Sequence, residues 1–429
     1  MMSTEPHNQE PPKNGQHTAS FGLLGKTLGH SYSPLIHKSL GNEVYSLFER
    51  EPNELDNFFA DPVLQGLNVT IPYKQTAYQA CAEVSDIARR MGGVNTMVRR
   101  KDGWYGHNTD YEGFIYMVKR AGISVSDKKV VILGDGATAH MAHMALEDLG
   151  AREIVHLSRK TEPLYKDAPV VGKGSQILVN TTPVGMYPNC PEQLVNLDDF
   201  PNLEAVVDVI YNPYRTALLI DAEERGLITT DGLPMLVGQA VGSARLFQNK
   251  DFSDEEIEQL IQQIRYKQEN IILIGMPGVG KTTVGRKLAA LLNRPLVDCD
   301  AIFEERHGHP SKYISTHGEP DFRDKETAIL RDMSKETGLI IATGGGVITR
   351  PENYALLRQN GRLYWLKRPL EILDTENRVL SNGGLERLQN LYKVRKPLYE
   401  HFAQCEVDYV TPEDGAQQIA DEYNDHYKI

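Results

Sequence analysis

The stretch Gly275-Met276-Pro277-Gly278-Val279-Gly280-Lys281-Thr282 has the spacing G-x-x-x-x-G-K-[ST], and that spacing carries a specific chemistry. Glycines let the backbone N–H groups of Gly278, Val279 and Gly280 curl around phosphate oxygens, and the N-terminus of the following helix adds positive potential. Lys281 can reach the β- and γ-phosphates and Thr282 can ligate Mg²⁺, with Thr283 next on the helix. Both flanks fit: Ile271-Ile272-Leu273-Ile274 reads as a buried strand, and a helical pattern follows. The loop implies a nucleoside triphosphate but does not name the acceptor.

Downstream residues could supply the acceptor site. Asp298-Cys299-Asp300 ends the apolar stretch Pro295-Leu296-Val297. Two carboxylates two residues apart at a strand end point to the same side, toward the phosphate crevice. Arg323 stands beside a tight turn in Gly318-Glu319-Pro320-Asp321-Phe322-Arg323. Gly344-Gly345-Gly346 follows the strand pattern Leu339-Ile340-Ile341-Ala342 and allows close backbone approach to a small ligand. Taken singly, these features are better read as a solvated charge pair, a surface arginine and a flexible turn. Their order together is the informative part.

A second nucleotide signal lies upstream. Gly134-Asp135-Gly136-Ala137-Thr138-Ala139 follows the apolar run Val130-Val131-Ile132-Leu133 and opens a helical pattern through Met144 and Leu149. A lone G-x-G is common, but strand, turn and helix in that order make a dinucleotide-binding turn. The next strand, Ile154-Val155-His156-Leu157, ends in Ser158-Arg159-Lys160. An acidic residue there would hold the ribose of NAD; arginine and lysine suit the 2′-phosphate of NADP(H). Asp135 interrupts the turn, and a carboxylate near a pyrophosphate repels it unless it points away. Further upstream, Ser31 and Ser33 in His30-Ser31-Tyr32-Ser33-Pro34 present two hydroxyls two residues apart. Asn68-Val69-Thr70-Ile71-Pro72-Tyr73-Lys74 reads as a strand-like run ending in lysine, and Asn95 and Asp110 add an amide and a carboxylate.

At 429 residues the chain is too long for one ordinary domain, and two to four domains of roughly 100–200 residues are expected. Hydrophobic residues at 40% and charged residues at 24% match a soluble globular protein. A net charge of −12 argues against a general nucleic-acid surface, so anionic ligands must be met by local basic pockets. Cys81, Cys190, Cys299 and Cys405 are scattered without a CxxC pair, which fits a reducing compartment without disulfides or a zinc site. No apolar run reaches membrane-spanning length and no signal-peptide core is seen, so no membrane partner and a cytoplasmic location are expected. Residues 1–20 are polar and read as a disordered leader. Ser253, with Glu256 three residues on, caps a periodic helix through Ile257, Leu260, Ile261 and Ile264 that runs almost directly into the strand at 271–274.

From about Asn270 to Ile429 the ordered motifs resemble shikimate kinase. The resemblance implies ATP as donor and shikimate as acceptor. It makes Asp298 the acid that holds Mg²⁺ through water, and Asp300 the group that binds shikimate hydroxyls and serves as base. Arg323 and Arg395, in Arg395-Lys396-Pro397-Leu398-Tyr399, become the pair that clamps the substrate carboxylate, with Gly344, Gly345 and Gly346 lining the substrate. Arg378 becomes the lid arginine over the transferring phosphate, although Val-Leu-Ser-Asn-Gly-Gly follows it where the family has Pro-Leu-Leu. From about Phe21 to Lys267 the chain resembles shikimate dehydrogenase. That resemblance implies that Ser31, Ser33, Thr70, Asn95 and Gln239 hold 3-dehydroshikimate or shikimate, that Lys74 and Asp110 form the catalytic pair, and that Tyr211 closes the active-site cleft. The segment 180–186 becomes a cofactor-side loop.

The implied architecture is α/β throughout. An α/β substrate domain (about 21–115, with helices at 235–268) and a Rossmann domain (about 116–234) make up residues 21–268. A P-loop domain with a parallel sheet follows over 270–429. The implied function is a fusion that reduces 3-dehydroshikimate with NADPH and then phosphorylates the shikimate formed. Two alternatives stand beside it. A pathway sensor built from degenerate enzyme domains would have lost catalytic residues, yet Lys74, Asp110, Lys281, Thr282, Asp298 and Arg378 are all present. A quinate-type, NAD-using dehydrogenase fused to the kinase is disfavoured by Arg159-Lys160. The two crevices are expected to open separately, and a cut near Asn270 to leave two autonomous enzymes.

Overall fold

The computed structural model describes residues 20–29, 31–187, 190–373 and 384–429. The expected leader, apart from Ser20, lies outside the described residues, as does Arg378. Two compact units form: the chain up to Thr109 with Ala240–Asp251, and Asp110–Gln239 with Phe252–Ile429.

The first unit is built on a mixed six-stranded sheet. Its spatial order is Tyr45–Glu49, Ser20–Gly25, Leu64–Val69, Thr96–Arg100, Gly103–His107, Glu83–Val84. Leu64–Val69 runs parallel to Ser20–Gly25 and antiparallel to Thr96–Arg100. Its near-continuous burial reflects cover on both faces, with Leu24, Leu67, Val69, Met97 and Trp104 in one core.

The second unit holds two all-parallel sheets of five strands. One has the order Ile228–Thr230, Ala205–Asp208, Ile177–Asn180, Lys129–Leu133, Glu153–Leu157. The other runs Leu296–Asp298, Ile340–Ala342, Asn270–Ile274, Gly361–Lys367, Cys405–Asp408. In each, the first strand in sequence lies inside the sheet, with later strands added on both sides. Connections therefore leave its carboxyl end in opposite directions and open a crevice there. The glycine turns at 134–136 and 275–280 follow these two strands. Ile271, Ile272, Leu273 and Ile274 are all essentially inaccessible, and burying each such side chain contributes about 2 kcal/mol, which fixes the strand beneath its loop.

The capping box of Ser253 and Glu256 starts the helix Asp254–Gln268, and Ile257, Leu260, Ile261 and Ile264 are its buried stripe. Sequence reading grouped this helix with the substrate part; in the structure it lies in the second unit. Arg120 bonds Glu258 at 2.6 Å, Arg265 pairs with Asp231, and the Tyr266 ring packs 5.1 Å from that of Tyr423. Only Glu269 separates the helix from the strand Asn270–Ile274, and Glu269 is completely buried. A cut near Asn270, expected to leave two autonomous pieces, would fall inside a packed interface.

Candidate active sites

The P-loop is shaped by backbone that side chains resist. Gly275, Gly278 and Gly280 have φ of 148°, 80° and 99°, a region that favours glycine. The helix Lys281–Leu292 starts at once. Lys281 is buried, and its ammonium donates to the carbonyls of Gly275 (2.9 Å) and Met276 (3.2 Å), which holds the loop curled. Thr282 Oγ1 donates to Asp298 Oδ2 at 2.5 Å. A hydroxyl and a carboxylate side by side are the hard-oxygen donors that Mg²⁺ takes, with water and phosphate completing its shell. A cleft of about 270 Å³ joins Gly278, Gly280, Lys281, Thr282, Thr283 and Asp300, with Arg368, Tyr409 and Pro412 also lining it. Val279 is buried; its N–H bonds Met276 and its carbonyl accepts from the Tyr409 hydroxyl.

Asp298 stands at the strand end as expected, but Asp300 is placed by a route the sequence reading missed. The strand ends at Asp298, whose Oδ1 accepts from the N–H groups of Asp300 (3.0 Å) and Ala301 (3.3 Å). Asp298 is thus an N-cap, and Asp300 sits in the first turn of the helix Cys299–His307 rather than on a pleated strand.

The glycine triplet is required by three different neighbours. A Cβ on Gly344 would strike the Glu326 carboxylate and come 3.0 Å from Asp300 Oδ1. On Gly345 it would meet Pro277 at 2.8 Å, and on Gly346 it would collide with the Arg323 guanidinium. The close approach is therefore by the site's own side chains. Arg323, expected beside a turn, lies in the helix Glu319–Met333 after Gly318, and is held by Glu326 (2.7 Å) and Glu319 (3.1 Å). Arg395 donates to the Gly345 carbonyl at 3.0 Å, and Tyr399 donates to the same oxygen at 2.7 Å. Burial lowers the Arg395 pKa, and the charge of Arg323 adds to the effect. Burial raises the Glu326 carboxyl against the pull of Arg323. Two desolvated guanidiniums with one compensating buried carboxylate favour an anionic ligand in planar, bidentate contact. Glu326 and Tyr399 were not singled out from the sequence. Glu326 could have been, as the partner three residues along from Arg323 on one helix face.

The Rossmann turn is equally constrained. Gly134 has φ of 120°, and a Cβ there would lie 2.6 Å from Thr181 Oγ1. Thr181 donates to the Leu133 carbonyl at 2.7 Å, so the segment at 180–182 packs against the turn. Gly136 precedes the helix Ala137–Asp148, and its surroundings would leave a Cβ in open space. Asp135 turns toward Thr161, whose hydroxyl donates to its carboxylate at 3.4 Å. Ser158 is buried and bonds the N–H groups of Lys160 (3.2 Å) and Thr161 (2.8 Å). Its hydroxyl shapes the turn that leaves Arg159 and Lys160 exposed.

In the first unit, Ser33 opens the helix Ser33–Ser39 and its N–H bonds Ser31 Oγ at 3.2 Å, so both hydroxyls lie at a helix start. The strand Leu64–Val69 ends before Thr70, and Lys74 is the first residue of the helix Lys74–Ala80. Asn95 Oδ1 accepts from Thr109 N (2.8 Å), Thr96 Oγ1 (3.0 Å) and Thr109 Oγ1 (3.2 Å). These three bonds saturate its carbonyl oxygen. In the second unit, Asp110 opens the helix Asp110–Arg120, which crosses Leu233–Gln248 so closely that a Cβ on Gly113 would lie 2.9 Å from Gln239 N. Gly113 thereby places Gln239 one turn from Asp110. Tyr211 follows the strand Ala205–Asp208 on the same segment as Tyr214, Arg215 and Thr216.

Fold and sites together define a nucleotide-dependent enzyme with a Rossmann-type cofactor domain and a P-loop phosphotransferase domain in one chain. A shikimate kinase model matches residues 277–427, and a model of the shikimate dehydrogenase substrate binding domain matches 23–97. The shikimate dehydrogenase (NADP(+)) of Clostridium perfringens is 34% identical over 266 residues, covering 57% of this chain and 98% of that protein. The crystal structure of a chorismate mutase/shikimate 5-dehydrogenase fusion protein from Clostridium acetobutylicum superposes with a TM-score of 0.55 at 32% identity. It covers 58% of this chain and 97% of its own. Shikimate dehydrogenase 1 from Peptoclostridium difficile gives 0.52 at 35%, covering 58% and 98%. The chain belongs to the shikimate dehydrogenase family and carries a shikimate kinase domain behind it.

Proposed function

We propose that the chain is a bifunctional enzyme of aromatic amino acid biosynthesis that reduces 3-dehydroshikimate to shikimate with NADPH and phosphorylates shikimate to shikimate 3-phosphate with Mg-ATP. The observation that carries this reading is the presence of two glycine turns, each at the switch point of its own parallel sheet, in a chain matched by both families. Lys74 gives a proton to the alkoxide formed at the reduced carbonyl, and Asp110 orients it. NADPH, when bound, supplies the hydride, and Arg159 with Lys160 selects its 2′-phosphate. Ser31, Ser33, Thr70, Asn95 and Gln239 hold the ring substituents, and Tyr211 closes the cleft.

In the kinase, Arg323 and Arg395 clamp the carboxylate and Asp300 accepts the proton of the attacking hydroxyl. Lys281 and the loop amides neutralise the transferring phosphate. Thr282 and Asp298 hold Mg²⁺, which when bound draws charge from the phosphates. Arg378, outside the described residues, acts as the lid arginine. Lys74→Ala in the full chain should lower dehydrogenase turnover about 10²-fold and spare the kinase, and Lys281→Ala should do the reverse. Loss of both activities in either variant, or of neither, would contradict the assignment.

A further inference from the structure

The seam between cofactor domain and kinase domain is asymmetric. On the kinase side it lies at Glu269-Asn270 and Gln359-Asn360-Gly361, the amino ends of the strands Asn270–Ile274 and Gly361–Lys367. The phosphate crevice lies at the opposite, carboxyl end of those strands. On the dehydrogenase side it meets residues 211–216, which leave the carboxyl end of Ala205–Asp208, the end at which the cofactor turn also lies. The kinase thus presents its back to the working end of the other enzyme.

The contacts are buried and specific. Tyr214 N donates to Asn360 Oδ1 (3.3 Å), and Arg215 N donates to the Gln359 carbonyl (3.1 Å). Gln359 is 0% and Asn360 1% exposed. The Arg215 guanidinium reaches Glu269 (3.2 Å), and Arg358 reaches Glu223 (2.8 Å). The Tyr187 hydroxyl donates to the Ser334 carbonyl (2.8 Å). Burial alone would push the Glu269 carboxyl up, but Arg215 and the Tyr427 hydroxyl bring it below its ordinary range. Tyr211 stands three residues before the first of the docked amides.

We infer that Asn360 and Gln359 of the kinase domain are positioning residues for the dehydrogenase, holding the segment that carries Tyr211, and that the dependence runs one way. This rests on the proposed role of Tyr211 in the dehydrogenase cleft. In the full chain, Asn360→Ala should lower kcat/KM for 3-dehydroshikimate at least tenfold while leaving the KM for NADPH and the kinase constants within about twofold. Tyr187→Phe, a milder change, should do the same to a smaller degree. Hydrogen exchange at the Tyr214 and Arg215 amides should accelerate in both, while the amides of Lys281 and Thr282 stay as protected as in the parent. The inference is overturned if dehydrogenase kinetics are unchanged, or if both activities fall in parallel with the unfolding temperature in both variants. A parent chain unable to reduce 3-dehydroshikimate would refute the functional reading instead, and the exchange rates would still decide whether the segment is docked.

Discussion

Single residues decide the chemistry. Lys281 and Thr282 were legible because the P-loop spacing has few other uses, and the structure sets Lys281 on the loop carbonyls and Thr282 beside Asp298. Gly344, Gly345 and Gly346 were legible as a triplet but not in their reason, since the neighbours that forbid a Cβ come from distant segments. This separates stability from function at Gly346. An alanine there collides with the far end of the Arg323 side chain, which can move, so the fold should survive. The displaced guanidinium should raise the KM for shikimate about tenfold or more, a loss of about 1.4 kcal/mol of binding, with dehydrogenase kinetics unchanged. An unchanged KM for shikimate would show that Arg323 does not hold the carboxylate. Cofactor choice is also a residue-scale matter. Changing Arg159 and Lys160 together to alanine should erase most of the preference for NADPH over NADH in kcat/KM. A preserved ratio, or a parent that uses both equally, would favour the NAD-using alternative.

At the scale of elements, apolar runs that stop at glycine gave the two nucleotide-binding strands, because a buried parallel strand and a phosphate turn leave few other sequences possible. Short polar segments were less legible. Asp300 and Lys74 both read as lying on strand ends, whereas each stands in the first turn of a helix. Capping and strand termination use the same residue types, and only the packing of the following turn tells them apart. Asp208 ends a strand in a way that sequence gives no hint of. It is fully buried, accepts from Asn180 Nδ2 (3.1 Å), Ile210 N (3.0 Å) and Thr216 Oγ1 (2.8 Å), and burial outweighs these bonds to push its pKa up to about 7. Between its unfolded value near 3.8 and about 7, the folded chain keeps a proton that the unfolded chain has released. Its contribution to stability must therefore fall as pH rises across that window. Asp208→Asn cannot titrate. The unfolding temperature of the variant, minus that of the parent, should rise from pH 5 to pH 8; a difference independent of pH would show that Asp208 does not hold the proton.

At the scale of the molecule, the sequence revealed two enzymes but not how they are joined. The single residue between the helix Asp254–Gln268 and the next strand was visible as a short connection. That Glu269 is buried among Arg215 and Tyr427 was not, because those partners lie 54 and 158 positions away along the chain. The compact units also divide at a place no motif marks, with the cofactor domain grouped beside the kinase.

The central claim is that one chain carries out consecutive reactions on one metabolite, the second enzyme phosphorylating a hydroxyl of the product of the first. Its most direct test is a single incubation of the full chain with 3-dehydroshikimate, NADPH and Mg-ATP, following NADPH oxidation and product mass together. Two sites of the kind described should convert 3-dehydroshikimate to shikimate 3-phosphate, with one NADPH and one ATP consumed per product. Accumulation of unphosphorylated shikimate, or no oxidation of NADPH, would contradict it.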